Sequence, residues 1–233
     1  YLKNNKSEKI IVGASESMSK SKKNTIDPEK IISNYGADAV RLFILSDSPP
    51  EKDVQWSEEG IESSYKFIQK LWNLHLKIIE ESNKNYEKDN DQEIDKFTNK
   101  FIKKITHNLE NFSYNVIIAS IHQMYSFLIK EISKKYTKKT LLNNYEKILI
   151  TITPVIPHFS NECLENINFK KEFIWPSYDE KLVVDEKIDF VIQINGKKRG
   201  VLKVKRDIDE TSLLNLIKGN ENLKKYVDAK TIK

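Results

Sequence analysis

The sequence has few of the residues that form disulfides, metal clusters or membrane spans. Its 233 residues include a single cysteine, Cys163, which excludes an intrachain disulfide and a cysteine-cluster metal site and fits a reducing compartment. The four histidines, at positions 75, 107, 122 and 158, lack the spacing of a metal-binding motif. No apolar run approaches the ~18 residues of a membrane span, and the first residues do not resemble a signal peptide. We therefore expect no metal site and no membrane contact, and a cytoplasmic location.

The overall composition is that of a folded, strongly solvated protein. Hydrophobic residues make up 39% of the chain and charged residues 31%, which is not typical of disorder. The net charge of +5 is compatible with binding to nucleic acid or another polyanion, or with solubility alone. The placement of the positive charges must decide between these two interpretations.

One cationic stretch, Ser17–Asn24, alternates small hydroxyl residues with lysines. Lysine ammoniums bind polyphosphate as point charges, and short serines and backbone N–H groups can donate hydrogen bonds nearby. Asp27 and Pro28 are typical of an N-cap and a first helical residue, so the stretch leads into a helix N-terminus that could bind an anion. The alternative is a solvated, charged surface loop.

Apolar periodicity predicts a mostly helical chain that ends in a small α+β unit. A short strand is expected at 10–12 before the cationic stretch. Helical spacing then recurs through successive segments joined by short polar loops, which predicts an antiparallel helix bundle. The predicted helices cover residues 27–34, 37–45, 61–81 (with Ser57-Glu58-Glu59 at its N-terminus), 93–111, 113–134, 141–153 and 158–167.

The pattern changes after Trp175-Pro176. A strand is predicted at 187–194, a turn at Asn195-Gly196 completed by 197–200, and a second strand at 201–206. Helical segments at 209–217 and 221–226 and a further strand at 230–233 complete this unit.

Two sets of cations outside the first loop have open interpretations. Arg41 lies inside an apolar run, where it either extends its head to the surface or contacts a phosphate or an acid. The predicted hairpin is dense in cations, which either form a solvated edge that blocks aggregation or bind nucleic-acid phosphates. The hairpin cations are Lys197, Lys198, Arg199, Lys203, Lys205 and Arg206.

Together these stretches resemble the C-terminal part of a bacterial-type leucyl-tRNA synthetase, a class I aminoacyl-tRNA synthetase. Ser17-Met18-Ser19-Lys20-Ser21 is similar to the KMSKS signature of that family, and the 35–41 run Tyr-Gly-Ala-Asp-Ala-Val-Arg is similar to the segment that the family carries C-terminal to this signature. Two stretches favour the leucyl enzyme: residues 47–56 resemble its segment leading into the helical domain, and residues 191–200 resemble its small C-terminal domain.

The resemblance implies an ATP-dependent ligase that forms leucyl-adenylate and transfers leucine to tRNA(Leu). Lys20 matches the second lysine of the signature, so it would be the catalytic residue that stabilises charge on the pyrophosphate leaving group. Ser17, Met18, Ser19, Lys20 and Ser21 would bind ATP, which would carry its own Mg²⁺. The tRNA would be bound by Lys22, Lys23, Arg41, Lys197, Lys198, Arg199, Lys203, Lys205 and Arg206.

The implied domains are the end of the catalytic domain with its stem-contact helices (1–56), an anticodon-binding-type bundle (57–170), a linker (171–186) and a small tRNA-binding α+β domain (187–233), in an enzyme expected to be monomeric. Two departures stand out. Ser17 replaces the first lysine of the signature, and the sequence contains nothing similar to the HIGH signature. We therefore expect a fragment or one subunit of a split enzyme that does not activate leucine alone. ATP and leucine would reach it through the missing N-terminal part.

Two alternatives stay open at this point. One is a tRNA-binding or assembly module in which the cationic loop is vestigial, an interpretation that Ser17 favours. The other is a class I synthetase of related aliphatic specificity.

Overall fold

The structure, a computed structural model, describes residues 13–46, 51–84, 86–89, 92–184, 187–194 and 196–223. It divides into two compact units, with the boundary between Tyr178 and Asp179. Helices dominate the described residues, and their one sheet is a two-stranded antiparallel hairpin, so the predicted mostly helical class is confirmed. The strands predicted at 10–12 and 230–233 lie outside the described residues. Within the described part, no helix combines the length and apolarity that a membrane span needs.

The first unit contains seven helices among its described residues. Ser57 and Thr137 begin two of them by accepting the backbone N–H of Gly60 and of Thr140, so the helix predicted from position 141 starts three residues earlier. The helices are α1 (Pro28–Tyr35), α2 (Ala37–Ser46), α3 (Glu58–Ser82), α4 (Glu93–Glu110), α5 (Tyr114–Glu131), α6 (Lys138–Ile152) and α7 (Pro157–Asn166).

The core of this unit joins α3 to α7 through one continuous apolar cluster. Ile78, Ile105, Ile121 and Leu149 are fully buried within it. Helix α2 packs against α3, and a Cβ at Gly60 would lie 2.6 Å from Cε2 of Phe43. Glycine at that position therefore allows the start of α3 to approach α2 closely.

The second unit is a hairpin covered on one face by a helix. It comprises α8 (Glu180–Val183), β1 (Lys187–Ile194), β2 (Lys197–Lys205) and α9 (Glu210–Gly219), and residues 221–223 are also helical. Ile192, Ile217 and Leu223 form its small core. Residues 224–226 of the predicted last helix lie outside the described residues.

The prediction that residues 197–200 complete the hairpin turn is wrong. Lys197 pairs with Ile194 and Lys198 with Gln193, so these residues belong to β2, which begins directly after Gly196. The ladder shifts register between Ile192 and Gln193, as a β-bulge does. This bulge lets the strands continue to the glycine, whose φ of 72° suits the turn.

Candidate functional site

The cationic stretch forms a closed turn that is fastened by one asparagine. The side chain of Asn24 accepts the N–H of Ser19 at 2.8 Å and donates to the carbonyl of Ser17 at 3.4 Å. Inside the turn the Oγ atoms of Ser19 and Ser21 lie 3.2 Å apart. Sequence reasoning assigned no role to Asn24, although asparagine is a residue that often fastens turns through its side chain.

The three lysines of the turn have different surroundings. Lys20 is exposed, and none of the described residues accepts a hydrogen bond from its Nζ. Lys22 instead forms an exposed ion pair, with its Nζ 2.9 Å from Oε2 of Glu16. Lys23 takes a left-handed backbone conformation with φ of 52°. Lys20 is exposed and lies outside the ion pair of Lys22 with Glu16, so its ammonium can approach an anion without first breaking that pair.

The N-terminus of α1 is capped by a carboxylate of the chain itself. The Asp27 carboxylate accepts the backbone N–H of Glu29 at 3.1 Å, and Glu29 adds a second acid to the first turn. Negative side chains at this position stabilise the helix dipole and occupy the donors that an anion would use. The structure thus does not support the idea that this helix end binds phosphate, which leaves the turn itself as the candidate site.

Arg41 contacts the backbone at the junction between α6 and α7. Its Nε donates to the carbonyl of Val155 at 2.9 Å and its Nη2 to the carbonyl of Pro154 at 2.6 Å. The acid contact considered from sequence is therefore wrong among the described residues, since both observed acceptors are main-chain carbonyls. The predicted tRNA contact of Arg41 stays a prediction, with fewer of its donors available.

Asp38, one helical turn before Arg41, is a residue that sequence reasoning missed. It is buried, and its carboxylate accepts the N–H groups of His158 at 3.3 Å and Phe159 at 2.7 Å and contacts Nδ1 of His158 at 3.0 Å. Asp38 and Arg41 together hold α2 against the junction of α6 and α7. The signal available in the sequence was two charged residues inside an otherwise apolar helix.

The hairpin exposes its cations along one strand and its tip. Lys197, Lys198 and Arg199 are exposed next to the turn, and Lys203 and Lys205 are exposed farther along β2. Alternate residues of β2 are shielded from solvent: Leu202 packs against the small core and Val204 is buried. A polyanion can therefore approach these cations from the solvent side. Arg206 follows the strand and is also exposed.

Two of the histidines, His75 and His122, pack within the first unit. His75 is buried with Nδ1 3.1 Å from the hydroxyl of Tyr145, and burial lowers the pKa of His75. His122 stacks on Phe67 with ring centroids 3.8 Å apart, and burial also lowers its pKa. Among the described residues no group of three or more histidine, cysteine or acidic side chains is arranged to hold a metal ion.

The predicted site residues form two groups. The structure brings Ser17, Ser19 and Ser21 together with Lys20 in one turn of the first unit, and it brings the hairpin cations together in the second unit. Arg41 belongs to neither group in its observed contacts, which are with the junction of α6 and α7.

Comparisons with known proteins agree on one family. The model described as the anticodon-binding domain of tRNA ligase matches residues 91–214, and the model of class I tRNA synthetases (I, L, M and V) matches residues 9–57. The chain is 36% identical over 229 residues to the leucine–tRNA ligase of Zymomonas mobilis subsp. mobilis, covering 97% of this chain and 26% of that protein. It is 40% identical over 210 residues to that of Wolbachia pipientis wMel, covering 88% and 24%.

A solved structure supports the same fold. The crystal structure of a ternary complex of Agrobacterium radiobacter LeuRS, tRNA and LeuAMS aligns with a TM-score of 0.80 at 23% identity, covering 93% of this chain and 29% of that one. At this level of identity the likeness concerns the fold alone. The chain spans about a quarter of the length of the curated relatives it matches.

Proposed function

Because the chain belongs to the family of anticodon-binding domains of tRNA ligases, we propose that it is part of a cytoplasmic, monomeric leucine–tRNA ligase. The relatives that support leucine are leucine–tRNA ligases along nearly the whole of this chain. In this proposal the chain supplies the ATP-phosphate loop, the tRNA-supporting bundle and the basic hairpin. The rest of the ligase supplies the leucine pocket and the HIGH half of the ATP site.

One observation carries the catalytic part of the proposal: the turn is closed by Asn24 while Lys20 stays exposed. A leucine carboxylate oxygen attacks the α-phosphorus of ATP, the bond from that phosphorus to the bridging oxygen breaks, and pyrophosphate leaves with added negative charge. Lys20 stabilises that charge, and the Ser19 and Ser21 hydroxyls donate hydrogen bonds beside it. A ribose hydroxyl at the 3′ end of tRNA(Leu) then attacks the carbonyl carbon, and AMP leaves.

The residues of the turn fit a polyphosphate and not a bare metal ion. Hydroxyls, backbone N–H groups and an ammonium are donors, and the nearby carboxylate of Glu16 is already paired with Lys22. Mg²⁺ therefore arrives bound to ATP, where it is held by phosphate oxygens. The ion pair also limits how far Lys22 can replace the lysine missing at Ser17, so Lys23 is the better candidate for that charge.

The test is Lys20→Ala in the complete ligase, measured by leucine-dependent pyrophosphate exchange and by tRNA affinity. Loss of a donor aimed at developing charge lowers exchange by about 10²–10³-fold, whereas tRNA affinity is unchanged. Lys30→Ala, an exposed lysine on α1, is the matched control and keeps full exchange. If Lys20→Ala retained full exchange, the loop would be vestigial and the chain would act as a tRNA-binding module.

A further inference from the structure

The turn between α4 and α5 contains an aromatic residue in an unfavourable backbone conformation. Phe112 has φ of 52°, and it follows α4 in a turn where the N–H of Ser113 donates to the carbonyl of Asn108 at 2.8 Å. Glycine or asparagine usually occupies this left-handed position, because a bulky side chain is strained there. The equivalent turn after α7 has the usual residue, Asn168, with φ of 58°.

Burial of the Phe112 ring does little to offset this strain. Its side chain is 63% exposed, the second highest value among the exposed large apolar residues of the described part. It touches Tyr114 edge-on, with centroids 6.3 Å apart and ring planes at 66°, and Tyr114 itself packs against the core. One face of the Phe112 ring is therefore exposed to solvent, while Tyr114 links the ring to the core. Backbone strain of this kind concentrates at binding sites.

The neighbouring surface of α4 is basic. Its face opposite the buried Ile102 and Ile105 carries four lysines and one histidine along about three turns. Lys104 and His107 are exposed, whereas Lys103 is half-buried with its Nζ 5.4 Å from the ring centroid of Tyr178. One lysine of this face, Lys104, donates to Oε1 of Gln123 on α5 at 3.1 Å, so the basic surface adjoins α5. The acids of α4 lie toward its two ends, where Glu93 pairs with Lys96. The basic residues of this face are Lys96, Lys100, Lys103, Lys104 and His107.

We propose that Phe112 is a stacking platform for an unpaired base of bound tRNA and that the basic face of α4 binds the adjoining phosphates. This inference rests on the proposed function, and it deepens that function by assigning a residue to RNA contact. An aromatic face beside a cationic track is the arrangement that binds unpaired nucleotides, because every base has a face to stack while phosphates supply the charge. A base inside a continuous helix is already stacked on both sides, so the partner is a base in a tRNA loop or bend.

The decisive variant is Phe112→Gly, because it separates stability from binding. If the ring serves RNA binding and not packing, this variant is more stable than the unaltered chain and yet binds tRNA more weakly. Glycine relieves the left-handed strain, so the melting temperature of the chain rises by about 2–4 °C. Loss of the ring weakens binding of a fluorescent tRNA(Leu) transcript by about fivefold to a hundredfold, measured by anisotropy. The slope of log affinity against log salt concentration stays constant, since no charge is lost. Lys104→Ala instead reduces that slope by about 0.7–0.9.

Three controls separate the possible failures. Phe112→Tyr keeps an aromatic face and keeps affinity, and Leu76→Ala removes another exposed apolar side chain without effect. On a continuous RNA duplex, Phe112→Gly costs no affinity because no base is free to stack. If the unaltered chain failed to bind tRNA, the proposed function would fail. If it bound tRNA and Phe112→Gly bound equally well, the stacking platform would be rejected.

Discussion

Asp38 shows how a single buried carboxylate can complete a helix that lies far along the chain. Helix α7 begins at Pro157, and its N-cap, Ile156, has no side chain that can accept a hydrogen bond. Asp38 accepts two of the free N–H groups there from a position 120 residues earlier. Its negative charge also lies at the positive end of the helix dipole. The cost of burying this carboxylate is thus offset by charge-assisted hydrogen bonds.

We predict that Asp38→Asn lowers the free energy of unfolding of the first unit by about 1–3 kcal/mol. The amide keeps the size of the side chain but loses the charge and one acceptor oxygen, so one N–H of α7 loses its partner. Urea unfolding followed by circular dichroism measures the change. Asp27→Asn is the matched control, because asparagine caps an exposed helix as well as aspartate does. Equal loss in both variants would show that the long-range cap contributes nothing special.

At the scale of the element, the basic tip of the hairpin lies outside the small apolar core of its unit. The β2 side chains at 197–199 are exposed, whereas Ile192 and Leu202 pack in the small core with Ile217 of α9. We predict that replacing Lys197, Lys198 and Arg199 together by alanine weakens binding of tRNA(Leu) and reduces the salt slope by about 2–3, close to 0.9 for each phosphate that the variant no longer neutralises. Filter binding at several salt concentrations measures both quantities.

The control for the hairpin is Lys218→Ala, an exposed cation at the end of α9 in the same unit. It leaves affinity and slope close to those of the unaltered chain if the tip binds the phosphates. An unchanged slope in the triple variant would show that the tip is a solvated edge.

The elements that sequence predicted well are those whose signal is local. Apolar spacing and capping residues such as Ser57 placed the bundle helices within about three residues of their observed ends. The hairpin turn was predicted at Asn195-Gly196, and its extension through residue 200 was wrong. The extension failed because the β-bulge depends on how the two strands pair, which no local pattern shows. Gly200 shows the same dependence: a Cβ there would lie 3.0 Å from Leu223, a proximity that no local pattern reveals.

In the candidate site, too, features with a local sequence signal were predicted and features that depend on the folded structure were not. The lysines and serines of the turn were visible as a motif, but the fastening role of Asn24 required the folded turn. Asp38 could not be matched with α7 because no periodicity links residues 120 positions apart. Phe112 fell between two predicted helices and was given no role, since a sequence does not show the sign of φ.

At the scale of the whole molecule, burial of neutral titratable groups in the first unit limits the pH range of stability. Burial lowers the pKa of His75 and His122 below the ordinary 6.5. Just below pH 6.5 these histidines are therefore protonated in the unfolded chain but still neutral in the folded chain. Stability from these histidines is present above pH 6.5 and is lost as the pH falls below it. Lys70 adds to the shift at His122 by repelling a positive charge.

Two other buried groups in the same core reduce stability at alkaline pH. Burial raises the pKa of Cys163 from 9.0 to about 12 and holds the pKa of its neighbour Tyr145 well above 10.0. The folded chain therefore keeps protons that the unfolded chain releases, so this stability is present below pH 9 and is lost as the pH rises above it.

We predict a plateau in the free energy of unfolding between about pH 7 and 8.5, with losses on both sides approaching 1.4 kcal/mol per pH unit for each group that titrates only when unfolded. Urea titrations at half-unit steps from pH 5 to 10.5 measure the two slopes. Cys163→Ala makes the alkaline slope shallower and leaves the acid slope unchanged, while His75→Gln does the reverse. Slopes are compared instead of absolute stabilities, because both substitutions also disturb packing at every pH. An alkaline slope that survived Cys163→Ala in full would show that this thiol does not limit stability.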